Sequence, residues 1–175
     1  MAEVEIVERW SETHALGIMR RLGSMPAPDE GESLADIESG SKDSVLLPAL
    51  VALQYPTGQG SETAVEFAIK PENIHDAFAA DLPTEQTALM AATQRPFAEL
   101  GFSEPSGVPA WRNLPSWAVV PTGDKADGSD VVRPMGERAG ATITEVEGAS
   151  HVPMMSQPQV VTDVILTAVA ATTQK

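Results

Sequence analysis

Asp124 and His151 stand 27 positions apart, each just past a short apolar run. An aspartate and a histidine are the residue types of an acid that orients a general base: the carboxylate holds one ring nitrogen and leaves the other free to take a proton. A histidine in a loop is most often a solvated or locally hydrogen-bonded ring, so its setting must carry the argument. Before His151, the segment ATITEVE at 141–147 reads as a strand. After it, Ser156-Gln157-Pro158-Gln159 has the Ser-x-x-Gln form of a helix capping box, with proline tolerated in the first turn. Val160, Val161, Val164, Ile165, Ala168 and Val169 then recur at the spacing of one helix face. His151 is thus expected at the carboxyl end of a strand, where open α/β sheets place their ligands.

The segment PSWAVVP at 115–121 reads as a second strand, and it opens directly into Thr122-Gly123-Asp124. Parallel neighbours joined by a crossover helix would bring the carboxylate and the imidazole out side by side, within about 2.7–3.2 Å if the contact is direct. The crossover helix, around residues 130–139, contains Pro134 and Gly136. Inside a helix these residue types are disfavoured relative to alanine by about 3 and about 1 kcal/mol, so a poorly formed helix is expected.

These residues carry a family resemblance. The run PSWAVVPTGDKADGSDVVRPMGERAGATITEVEGASHVPMMSQP resembles the carboxyl-terminal part of α/β-hydrolases, in the group of small esterases, plant methyl esterases and hydroxynitrile lyases. AADLPTEQTALMAATQRPF and APDEGESLAD upstream resemble the cap and the segment leading into it. The resemblance implies an α/β fold, a partial α/β-hydrolase made of a helical cap plus the last two parallel core strands and flanking helices. It divides the chain into a non-matching amino-terminal helix (1–25), a cap (26–110) and the carboxyl-terminal part of the core (111–175). It makes Asp124 the triad acid and His151 the triad base. One departure is local: Asp127-Gly128 stands where the family has an apolar residue and proline.

The family's nucleophile is a serine on a Gly-x-Ser-x-Gly turn upstream of the acid, and no such turn occurs here. Ser33 and Ser41 have the nearest surroundings, but no apolar strand precedes either. The strand-three loop that supplies an oxyanion donor is also missing from the match. The expectation is therefore a serine-type hydrolase of small esters or related acyl substrates, truncated and inactive alone, with a first-half polypeptide or self-association completing it. The alternative is a non-catalytic remnant acting as a binding or partner module.

The remaining residues set limits. A net charge of −14 over 175 residues argues against binding a nucleic-acid backbone or an anionic membrane. With no cysteine there is neither a disulfide framework nor thiolate chemistry. An acidic start and the lack of a long apolar stretch point to a cytoplasmic protein. Neither a metal site nor a cofactor site is expected, because the three histidines are scattered and the acids lack calcium-loop spacing.

Residues 3–22 read as a loose amphipathic helix with His14 as a structural residue; the family has a core strand there, which implies a replaced amino terminus. Residues 45–53 are apolar and read either as a buried cap segment or as a strand. Residues 71–80 and 84–94 read as cap helices, with His75 on the surface and Trp111 and Trp117 as packing residues.

Overall fold

A computed structural model describes residues 30–173. The expected helix at 3–22 and His14 lie outside them.

Two strands form the part of the fold that matters for chemistry. β4 (Trp117–Pro121) pairs in parallel with β5 (Thr142–Val146), from Trp117 opposite Thr142 to Pro121 opposite Val146. Ala118, Val119 and Val120 are buried, whereas only Val146 of β5 is. β5 is thus a half-wet strand and β4 the inner one. The helix between them, α5 (Ser129–Arg138), covers one face.

This crossover helix is regular over ten residues, and its two irregular residues have separate explanations. Pro134 lies on the solvent side, where the missing N–H leaves only a first-turn carbonyl without its donor. Gly136 is buried; a Cβ there would touch the Ala118 methyl and the Ile143 side chain, each at 3.4 Å. The glycine lets the helix backbone sit directly on the sheet. The expectation of a poorly formed helix is corrected on this point.

On the other face, α7 (Pro158–Thr173) packs Val160, Val161 and Val164 against Val119, Val146 and Ala149. Ile165, Leu166 and Val169, further along, are exposed. The expected capping box is displaced. Ser156 ends a separate short helix, α6 (Pro153–Ser156), the Gln157 carbonyl accepts the first helical bond of α7, and Gln159 reaches forward to Asp163 at 2.8 Å.

The segment read as the cap contains the helix expected at 84–94 and also a sheet, while the helix expected at 71–80 is corrected to two short non-α turns. α1 (Leu34–Gly40) is followed by α2 (Leu46–Ala49), which runs straight into β1 (Leu50–Pro56). The apolar run at 45–53 is therefore half helix, half strand. β1 pairs antiparallel with β2 (Thr63–Ile69), and β2 with the two-residue β3 (Phe97–Ala98). Pro71–Asn73 is a 3-10 turn that continues as a π-helical turn, Ile74–Phe78, before α3 (Thr84–Thr93) and α4 (Glu99–Ser103). Leu46, Ala49, Ile69, Ile74 and Ala77 bury together with Ala126 of the Asp124 loop. Segment 46–77 and that loop therefore share one core.

Candidate active site

The loop after β4 holds Asp124 by its own backbone. One carboxylate oxygen, Oδ1, accepts from the N–H groups of Ala126 (2.8 Å) and Asp127 (3.3 Å), so the side chain closes a tight turn over the residues that follow it. Segment 41–45 braces the turn from outside. Val45 N–H donates to the Lys125 carbonyl at 2.8 Å, the Ser44 hydroxyl donates to the Ala126 carbonyl, and the Ser41 hydroxyl and Lys42 N–H donate to the Asp130 carboxylate at 2.6 and 2.8 Å. Those bonds hold the Asp130 carboxyl below its ordinary range although burial acts the other way. Gly128 is required between them: its φ is +92°, and a Cβ there would fall 2.0 Å from the Ser41 oxygen.

The loop after β5 is welded to the loop after β4. Thr122 N–H donates to the Val146 carbonyl (3.1 Å), Gly123 N–H to the Ala149 carbonyl (2.9 Å), and Gly148 N–H to the Thr122 hydroxyl (2.8 Å). Ala149, Ser150, His151 and Val152 are all buried. The Ser150 hydroxyl donates to Asp81 of the cap, and Val152 packs with Ala79 and Leu82.

These two loops bring together the two residues expected as a pair. The Nδ1 of His151 lies 2.9 Å from Oδ2 of Asp124, and both side chains are 2% exposed. The ring's other nitrogen, Nε2, is buried without a hydrogen-bond partner among the described residues. Burial, the largest single influence, pulls the imidazole pKa down. The charges of Asp124 and Asp127 and the Asp124 hydrogen bond overcome it and raise the pKa from 6.5 to about 9.

Asp127 did not stand out as a site residue in the sequence. It is fully buried, both of its carboxylate oxygens lack a hydrogen-bond partner, and Oδ2 lies 3.7 Å from His151 Nδ1. Its one visible signal was the departure from the family pattern at Asp127-Gly128. Asp124, Asp127 and His151 offer three donor atoms within 4.8 Å of one another, a spacing that would also suit a metal ion. The 2.9 Å contact between Nδ1 and Oδ2 is, however, that of an ordinary N–H···O hydrogen bond.

The other singled-out residues are elsewhere. Ser33 is a helix cap: its hydroxyl donates to Asp36 at 2.6 Å and accepts from Asp36 N–H at 3.2 Å, while Ser33 N–H donates to the same carboxylate at 2.9 Å. Ser41 is committed to Asp130. His75 is half-exposed and bonds Asp76 at 2.9 Å. Trp111 and Trp117 are half-buried, with the Arg112 guanidinium 5.8 Å from the Trp111 ring centre.

An apolar cavity of about 200 Å³ is lined by Leu46, Phe67, Ile69, Ile74, Phe78 and Met90 among others. Phe78 links cavity and site, its ring centre lying 4.8 Å from that of His151. No helix among the described residues is long and apolar enough to cross a membrane.

No curated protein matches the sequence. Among solved structures, the chain is similar to polyneuridine aldehyde esterase, with a TM-score of 0.62 and 18% identity over 80% of this chain and 57% of that one. It is similar to tomato methylketone synthase I complexed with 2-tridecanone, with a TM-score of 0.61 and 20% identity over 86% and 59%. It is also similar to a methylesterase from Arabidopsis, with a TM-score of 0.54 and 21% identity over 66% and 51%. The chain thus spans between about half and three fifths of these proteins' length. At such identities the likeness concerns the fold. The sequence profile described as "Alpha/beta hydrolase family" matches residues 18–164, well over half of the chain, and the protein belongs to that family.

Proposed function

We propose that the chain carries the acid–base half of an esterase-like hydrolase acting on small esters with an apolar acyl or alkyl group, and that alone it forms no acyl-enzyme. The observation that carries this reading is the buried Asp124–His151 pair with Nε2 left free. Nδ1–H donates to Asp124, which fixes the ring so that Nε2 is the nitrogen that exchanges a proton with a hydroxyl nucleophile and then with the leaving alcohol. The apolar cavity on the Phe78 side supports an apolar group on the substrate, and the esterases among the structural neighbours support the reaction class.

Acyl transfer needs three things: an activated hydroxyl, a base, and donors aimed at the developing oxyanion. Among the described residues, no serine hydroxyl is bonded to His151. The two serines with the nearest sequence surroundings, Ser33 and Ser41, are bonded to aspartates instead. The chain alone is therefore expected to turn over an activated short-chain ester, such as p-nitrophenyl acetate, no faster than its His151→Ala variant. It is also expected to resist labelling by a serine-reactive phosphonate. Turnover that survives purification and is abolished by the phosphonate would overturn this reading. A first-half polypeptide of a family member, mixed in, is the proposed source of the missing groups.

A second reading, a non-catalytic partner module, has one observation in its favour: α7 leaves Ile165, Leu166 and Val169 exposed. Complementation separates the two. Turnover that appears on mixing and depends on His151 supports the enzyme half. Tight association with no turnover supports the module.

A further inference from the structure

We propose that Asp127 acts on His151 as a second carboxylate, a positioning residue that together with Asp124 keeps the imidazole protonated and so sets the pH at which it can serve as a base. The inference deepens the acid–base reading of the Asp124–His151 pair and rests on it for its catalytic consequence, though not for the proton itself.

Three observations carry it. Asp127 is completely buried, with both carboxylate oxygens lacking a hydrogen-bond partner. A bare carboxylate taken out of water is costly, so its charge must be matched by a neighbouring cation or removed by a proton. The cation-forming side chain that faces it is His151, with Nδ1 3.7 Å from Oδ2. Asp127 is also held in place: its N–H donates to Asp124 Oδ1, and Gly128 turns the chain into α5 directly behind it.

The other groups around the ring do not compete. Asp124 is the direct partner. Asp81, on the cap side, is tied to Ser150, and its carboxyl sits below the ordinary range despite its partial burial. Asp130, at the start of α5, is tied to Ser41 and Lys42. Phe78 offers only an aromatic ring, and Lys125 is exposed. Two carboxylates on the Nδ1 edge therefore face one ring, and among the described residues no ion pair opposes them. The second negative charge makes loss of the imidazolium proton harder, which delays base action at Nε2 to higher pH. No bond other than that to the proton is made or broken.

The test is a pH titration of the His151 ring followed by carbon–proton NMR, with the signal assigned by its disappearance in His151→Gln. The wild-type midpoint is expected near 9. Asp127→Asn should lower it by about one pH unit or more, and Asp127→Glu should restore most of the shift. Asp127→Leu, which removes both the charge and the unpartnered polar atoms, is the second variant should the amide disturb the fold, and it should lower the midpoint equally. An unchanged midpoint in either neutral variant would overturn the proposal. The titration reads the proton and not turnover. Failure to gain activity on complementation would thus sink the esterase reading while leaving this result standing. If turnover is gained, Asp127→Asn should move the rise of its pH profile to lower pH by the same interval.

Discussion

Gly123 and Ala149 meet backbone to backbone: the Gly123 N–H donates to the Ala149 carbonyl at 2.9 Å, and a Cβ on residue 123 would lie 3.0 Å from that same oxygen. This contact joins the loop that carries Asp124 to the loop that carries His151, one residue away from the acid and two from the base. A methyl group there has only backbone to push against. Gly123→Ala is expected to destabilise the fold by about 1–3 kcal/mol, the usual cost of overpacking. It should also weaken the Asp124–His151 contact, seen as a His151 titration midpoint moved toward 6.5. A variant as stable as wild type with an unmoved midpoint would show that the loops separate freely.

The buried pair makes stability depend on pH. The folded-state pKa of His151, about 9, lies above the ordinary imidazole value of 6.5. The folded protein therefore holds this proton more tightly than the unfolded chain. The contribution is fully present below pH 6.5 and is lost as pH rises through 9, on the order of 3 kcal/mol in all. Denaturant unfolding should give falling stability across that window in the wild type and a much flatter profile in His151→Gln. A wild-type curve that rises across it would have the wrong sign.

Pro134 and Gly136 sit two residues apart in α5 yet should respond in opposite directions. Pro134→Ala restores an N–H on a solvent-facing turn and is expected to raise stability, by up to about 3 kcal/mol. Gly136→Val forces a branched side chain into the space between α5 and the Ala118–Ile143 surface and should cost about 1–3 kcal/mol. Melting temperatures of the two single variants decide the matter, and equal shifts of one sign would refute the packing argument.

Ser33→Ala tests the assignment of that serine as a helix cap. Loss of the reciprocal bonds with Asp36 should cost about 0.5–2 kcal/mol and leave any ester turnover unchanged. A drop in turnover without a drop in stability would return Ser33 to the list of nucleophiles.

The outer stripe of α7 predicts association. Leu166→Glu with Val169→Glu should reduce self-association measured by sedimentation, and reduce binding of a hydrophobic dye, without lowering the melting temperature, because neither residue is buried. If both variants unfold, the stripe is packed in solution.

What the sequence by itself determined is local. Short apolar runs ending in turn residues mark strand ends, and these placed Asp124 and His151 each just past a strand; that the two strands lie side by side in parallel is seen in the pairing of β4 with β5. The spacing between them suited one crossover helix and one strand. Proline marked the cap in the same way: Pro71 opens the 3-10 turn, and α3 stops at Thr93, ahead of Pro96.

The rest was settled by contacts between residues far apart in the chain. Residues 45–53 divide into α2 and β1 because β2 is available to pair with the second half; an apolar run of that length has no preference of its own. Gly136 looks like a helix breaker until Ala118 and Ile143 are placed beneath it. Asp127 looks like one more acid on an acidic surface. It is buried because Asp124 draws the N–H groups of residues 126 and 127 onto its own carboxylate, while segment 41–45 closes over the turn from more than eighty residues away. Burial is a property of the assembled layers, and it alone turns a soluble side chain into a charge that must find a partner.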